Sequence, residues 1–329
     1  MKFLAPHKID GAPHIVVDGA ADASAGTRMT LSHWPGAQTD SALKADLSAQ
    51  IAFKSLDLFE QGVLDYPANL VTNNHFDEDG LVSAFVLTNP ELAKAHRETL
   101  IDVASAGDFG VFKERSSARV AFVLSAWADA ELSPLNAGVF ALPHFDLMAV
   151  LYEELLLRLP KIIDKVDNLR RYWLEEDNHL EESIVALARG DISLEEDPDL
   201  DLAVVRLSDN YPASPRAKSQ SWISSLLHPM ALHNSTDCTR IAVLARGRYE
   251  FYYRYETWVD FVSRKLLPRL DLTELASRLA KFEERGTWQY NGNGEIIARL
   301  KLAGSQKSNL SESDFLSLLK ERLSINEAL

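Results

Sequence analysis

The sequence predicts an α/β protein, with a mostly parallel sheet in an N-terminal domain, a helical connector and a smaller C-terminal α+β domain. Three observations carry this reading. Short apolar runs at residues 14–17, 29–32 and 70–72 alternate with stretches of helical periodicity, the pattern of strands joined by crossover helices. A long helical stretch follows, from about 143 to 188. The last third of the chain then holds two hairpin signals. A chain of 329 residues is long enough for two domains, at roughly 100–200 residues each. The expected division is 1–142, 143–200 and 201–329.

Each element has its own justification. Residues 14–19, HIVVDG, read as a short buried strand ending in a carboxylate, Asp18, and a glycine turn. Residues 29–36, MTLSHWPG, read as a second strand ending in His-Trp-Pro-Gly. Residues 45–59 place apolar side chains at helical spacing, with Asp46 or Ser48 positioned to cap the start. The run 70–72 leads into NNHFDEDG at 73–80, and a helix opens at about Leu81. Pro90 fits the first turn of the next helix, 91–103. The acidic GDISLEEDPDLD, 190–201, reads as an exposed loop, and residues 201–207 begin a second α/β region. YPASPRAKSQS, 211–221, reads as a polar linker or a substrate-facing loop. Strands 240–245 and 249–255 pair through Arg246-Gly247-Arg248, and strands 287–290 and 296–300 pair across NGNG, because Asn-Gly favours tight hairpins. Alternation in YYRYETW, 252–258, is strand packing, with Arg254 and Glu256 paired on one face. The last helix, 312–323, is capped by Ser311 or Ser313.

Composition narrows the function classes. A net charge of −14 and a pI near 5.1 oppose binding of long nucleic acids, which are held by clustered Lys and Arg. A small phosphorylated substrate fits this balance better, admitted by a locally positive cleft or by bound metal. The single cysteine, Cys238, allows no intrachain disulfide. The N-terminus has no signal-peptide core and no apolar run suits a membrane span, so the expected location is cytoplasmic. No phosphate loop of the G-x-x-x-x-G-K-S/T type, no G-x-G-x-x-G after a strand and no G-x-S-x-G occurs. Kinase, dehydrogenase and ordinary α/β-hydrolase chemistry are therefore unsupported.

The densest chemistry is in NNHFDEDG. His75, Asp77 and Asp79 form a compact set of hard ligands on a turn that leaves a strand. Carboxylate with imidazole suits Mn²⁺, Mg²⁺ or Fe²⁺ better than structural zinc. The bland alternative is an acidic turn capping a helix N-terminus. The spacing H-x-D-x-D-G, with Ser83 three residues on, resembles the first motif of the DHH phosphoesterases. AGDFG at 106–110, carrying Asp108, is similar to that family's further aspartate on a small-residue turn. VVDG with Asp18 and LSHWPG with His33 resemble its isolated aspartate and its strand–His–helix setting. The Asp-His-His signature itself is absent, and Asp18 and His33 precede HFDEDG instead of following it. This points to a permuted site, a degenerate one, or a coincidence.

The resemblance implies one or two Mn²⁺ or Mg²⁺ ions, held by His75, Asp77, Asp79, Asp108, Asp18 and His33. It implies hydrolysis of a phosphoester or phosphoanhydride in a small substrate, with His75, Asp77 and Asp79 in the catalytic site. A third constellation, HPMALHNSTDCTR at 228–240, offers donors from His228, His233, Asn234 and Arg240 for phosphate or leaving-group oxygens. A polar helix-to-strand loop with caps explains the same residues. Two further readings stay open: a catalytically silent metal- or ligand-binding protein derived from such a fold, and a protein-interaction module.

Overall fold

The computed structural model describes residues 1–20, 26–209, 211, 223–304 and 307–325. These form a mixed α/β fold with two sheets, one of four strands and one of six. The chain divides into two compact units, 1–177 with 259–265, and 178–258 with 266–329. The expected connector, 143–200, is thus shared between them, parting after Asp177.

In the first unit, β1 (Lys2–Phe3), β2 (His14–Val17), β3 (Thr27–Leu31) and β4 (Leu70–Thr72) make a sheet in the order β1-β4-β2-β3. All of its pairings are parallel. β1 left no sequence signal because only Lys2 and Phe3 pair, with Leu70 and Val71. The chain adds β3 on one side of β2, crosses back through α1 (Ser48–Glu60), and adds β4 on the other side. That reversal is where open α/β sheets gather ligands, beyond the carboxyl ends of the strands.

α2 (Glu78–Thr88) follows β4 and is buried throughout 78–87, as an almost wholly apolar helix must be. Around it lie α3 (Pro90–Ala95), α4 (Arg97–Asp108), α5 (Arg115–Ala128) and α6 (His144–Asp164), and α7 (Arg170–Arg189) begins in the same unit. The single helix expected over 91–103 is two, α3 and α4. They are separated at His96, whose φ of −115° and ψ of 18° leave the helical region.

The second unit holds β5 (Ile192–Asp197), β6 (Leu202–Leu207), α8 (Pro229–His233), β7 (Arg240–Ala245) and β8 (Arg248–Tyr253). α9 (Thr273–Ala280), β9 (Thr287–Tyr290), β10 (Arg299–Ala303) and α10 (Glu312–Ser324) complete it. Its sheet runs β5-β6-β7-β8-β10-β9, with only β6 and β7 parallel. The acidic stretch expected as a loop is the strand β5. Its Glu and Asp side chains mask the alternation of Ile192 and Leu194, and Glu195 pairs with Arg206 across the ladder at 2.9 Å. Charge of this kind also protects an edge strand.

The β7–β8 hairpin turns through Arg246 and Gly247, both at positive φ (53° and 77°), the conformation that two-residue hairpins need. The β9–β10 connection, 291–298, is longer than the tight Asn-Gly turn expected there. Phe251, Tyr253, Leu275, Leu279, Phe315 and Leu319 anchor the core against α9 and α10. Arg254 and Glu256 pair at 2.5 Å, but both are buried. Apart from Tyr211, the YPASPRAKSQS segment lies outside the described residues. Among the described residues no helix is long and apolar enough to cross a membrane.

Candidate metal centre

Three neighbouring parallel strands deliver the first candidate ligands. Asp18 follows β2 directly, His33 lies two residues beyond β3, and His75 three beyond β4. Asp77 and Asp79 come from the start of α2, and Asp108 is the last residue of α4. All six predicted metal-ligand residues therefore meet in the first unit. Asp108 departs from its expected setting, since it ends a helix.

Asp18 is the hub. Its backbone takes a left-handed φ of 44°, a conformation that costs of order 1–3 kcal/mol and persists where surroundings enforce it. The cost aims its carboxylate inward, where it is 1% exposed. Its Oδ1 accepts from Ser48 Oγ at 2.8 Å and lies 3.4 Å from His33 Nε2. Its Oδ2 lies 3.3 Å from His75 Nε2, whose hydrogen bond goes to Asp77 Oδ2 at 2.7 Å. Two metal-ligand triads share this residue: Asp18, His75 and Asp77, and Asp18, His33 and Asp79. Within each triad the donor atoms lie within 4.8 Å of one another. Asp108 Oδ2 stands 3.4 Å from His33 Nε2, on the second triad's side.

Both histidines are oriented from behind. His33 Nδ1 donates to the Asp46 carbonyl at 2.5 Å, so Nε2 faces Asp18, Asp79 and Asp108. A cation set between Nε2 and these carboxylates would satisfy all of them, and metal-binding histidines are oriented by this kind of outer hydrogen bond. His75 Nδ1 donates to Asn74 Oδ1 at 3.0 Å, and its ring lies 5.0 Å from that of Trp34. His75 is also the more open of the two, with 24% of its side chain exposed.

The capping reading of the acidic turn holds as well. Asp77 Oδ1 caps α2 by accepting from Gly80 N at 2.8 Å, leaving Oδ2 for the site. Asp79 caps a different helix: its two oxygens accept from Ser48 N and Ala49 N, both at 2.7 Å, at the start of α1. Neither Asp46 nor Ser48 caps α1. Ser48 instead donates to Asp18, and Asp46 Oδ1 accepts from Val262 N and Ser263 N at 2.8 and 2.9 Å. Gly80 is required because a Cβ there would meet Asn73 Nδ2 at 2.2 Å and Tyr152 Oη at 2.7 Å.

Electrostatics make the cluster costly without positive charge. Burial, then the charges of Asp18 and Asp77, push the Asp79 carboxyl well above the usual carboxylate range. Burial and Asp79, Asp77 and Asp18 do the same to Asp108. Burial would also raise Asp18, but the imidazole of His75 and the charge of His33 outweigh it and hold it low. For His75, burial acts downward, yet Asp77 and Asp18 raise it to about 10. The buried Asp18 Oδ2 and Asp108 Oδ2 have no hydrogen-bond partner among the described residues. Two such oxygens, hard donors throughout and imidazoles held with Nε2 inward fit a divalent cation.

The four predicted substrate-binding residues belong to the second unit and are engaged within it. His228 Nδ1 accepts from Met230 N at 3.1 Å, and His233 Nε2 lies 3.2 Å from Tyr252 Oη. Asn234 Nδ2 donates to the Met230 carbonyl at 2.7 Å. Arg240 is 3% exposed and donates to the carbonyls of Leu200 and Pro268, both at 3.0 Å.

Sequence reasoning missed Ser48 as a link to Asp18, and it missed Tyr152, which is fully buried and donates to the His75 carbonyl at 3.2 Å. Tyr152 sits in an amphipathic helix with no local mark of this role. A family model described as a family of unknown function (DUF6687) matches residues 1–322. No curated protein and no solved structure matches the chain.

Proposed function

Since the chain belongs to this family of unknown function (DUF6687), we propose its activity from the site alone: a metal-dependent hydrolase of a phosphoester or phosphoanhydride in a small phosphorylated substrate. The observation that carries the reading is the sharing of Asp18 between the triads with His75 and Asp77 and with His33 and Asp79. The likeness of HFDEDG and AGDFG to DHH motifs supports the same reaction class. Asp18, His75 and Asp77 would hold one ion, and Asp18, His33, Asp79 and Asp108 a second, as Mn²⁺ or Mg²⁺. Such ions, when bound, lower the pKa of water and offset phosphate charge.

The chain's own groups do the rest. Asp77 and Asp79 are fixed by backbone N–H donors before any substrate arrives, so orientation is not bought at the moment of reaction. His75 lies on the more open side of the cluster, where a substrate phosphate has access. Without metal, burial lowers the His75 pKa but Asp77 and Asp18 raise it to about 10, with Nε2 donating to Asp77; that Nε2 proton would be displaced when His75 holds an ion.

The test is turnover of pyrophosphate and of an aryl phosphodiester by the Mn²⁺-loaded protein, against Asp18→Asn. Metal-dependent hydrolysis that falls by more than about a hundredfold in Asp18→Asn is expected, because outer-shell partners alone cost roughly 10–100-fold. A wild-type protein that binds Mn²⁺ yet hydrolyses neither these nor a phosphomonoester overturns the proposal in favour of a catalytically silent binding protein.

A further inference from the structure

The first unit includes a short length of chain that arrives late, residues 259–265, with second-unit chain on both sides in sequence. It forms no helix or strand, yet it is tied to the least regular part of the metal centre. Between β3 and α1, residues 32–47 carry His33 without regular secondary structure, so no backbone ladder fixes that ligand. Asp260 N donates to the His33 carbonyl at 2.7 Å. Lys44 Nζ donates to Asp260 Oδ2 at 2.9 Å. Val262 N and Ser263 N both donate to Asp46 Oδ1, and the carbonyl of that same Asp46 receives the proton of His33 Nδ1. Phe261 packs edge-on against Phe109, the neighbour of Asp108, with ring centroids 5.7 Å apart.

We infer that residues 259–265 are a positioning strap for the second metal-ligand triad, and that Asp46 is the joint through which the strap sets the direction of the His33 imidazole. The inference rests on the proposed metal centre and adds residues to it. The strap reaches both ends of the His33 ring's environment: Asp46 behind Nδ1, and Phe109 beside Asp108, whose carboxylate faces Nε2. Asp46 and Asp260 touch His33 itself, through its Nδ1 and its carbonyl, and belong to neither triad; they act through that histidine. The triad of Asp18, His75 and Asp77 has no link to the strap among these contacts, so strap damage should weaken one ion and spare the other.

The experiment is titration of the full-length protein with Mn²⁺ alone, following free Mn²⁺ by electron paramagnetic resonance. Wild type is compared with Asp46→Ala, Asp46→Asn and Phe261→Ala, with a melting curve for each. Expected are two ions in wild type, one retained at wild-type affinity in Asp46→Ala, and the other weakened by about tenfold or more, the scale of outer-shell losses. Asp46→Asn keeps an acceptor oxygen and should restore both. Phe261→Ala, which leaves every strap hydrogen bond, should show a partial loss at the same ion and serves if Asp46→Ala does not fold. If wild type takes up two ions and both alanine variants match it, the strap has no positioning role. Equal weakening of both ions also overturns the inference, because it marks a general loss of structure. If wild type takes up no Mn²⁺, the metal centre itself falls, and the inference with it.

Discussion

At the scale of single residues, Asp18 shows how much one side chain can organise. A left-handed backbone, a hydrogen bond from Ser48 and two flanking imidazoles converge on it. The surrounding charges make a pH prediction with a definite sign. Asp79 and Asp108 have folded-state pKa values above their ordinary value of 3.8, and His75 is raised from 6.5 to about 10. The folded protein therefore binds protons that the unfolded chain releases, and its stability declines as pH rises. For His75 that contribution is complete below 6.5 and disappears as pH climbs through about 10. Melting in the presence of a chelator should thus occur at lower temperature at pH 9 than at pH 6. Saturating Mn²⁺ should shrink or reverse the difference, since the cation takes the place of the protons. Gly80→Ala makes a second case. Its Cβ would enter the space of Asn73 and Tyr152, and overpacking there should cost about 1–3 kcal/mol in a denaturant titration.

At the scale of elements, what the sequence disclosed depended on whether a signal was local. β2, β4 and the turns beyond β2, β3 and β4 that carry Asp18, His33 and His75 were readable, because each adjoins its own apolar run. The cap of α1 was not, because it comes from Asp79, thirty residues further along at the head of another helix. β1 is too short to leave a pattern, and β5 hides its alternation behind carboxylates. The packing of α7 on α5 was equally invisible. Asp177 is 10% exposed at its side chain and accepts from Arg115 Nε at 2.6 Å and from Arg119 Nη2 at 3.1 Å. Burial would raise the Asp177 carboxyl, but these two guanidinium groups outweigh it and hold it below its usual range. Its contribution is therefore present above the ordinary carboxylate pKa and lost as pH falls through the lowered one. Asp177→Ala should cost about 1–3 kcal/mol at pH 7, given that breaking fully buried pairs costs about 3–5 and this one is partly solvated. In urea titrations the penalty should shrink progressively as pH falls below the ordinary carboxylate pKa of 3.8.

At the scale of the whole molecule, the first unit is not one continuous stretch of chain. Hydrophobic patterning marks elements and is silent about which unit a loop joins. Residues 259–265 carry no motif and become meaningful only beside His33, Asp46 and Phe109. It follows that a fragment ending at Asp177 lacks part of its own unit. Expressed alone, 1–177 should melt below the full-length chain and release Mn²⁺ more readily, by calorimetry and by titration. Equal melting and equal retention would show that the late segment adds nothing to the first unit.

The strap also gives the protein a clock. Ribosomes deliver roughly 5–20 residues each second, so the stretch between Asp177 and Lys265 takes on the order of ten seconds to appear. During that interval Asp18, His33, His75, Asp77, Asp79 and Asp108 have all been synthesised, but the loop bearing His33 lacks the contacts of residues 259–265. The nascent first unit then lacks part of itself, and the surroundings of His33 are complete only once residue 265 has emerged.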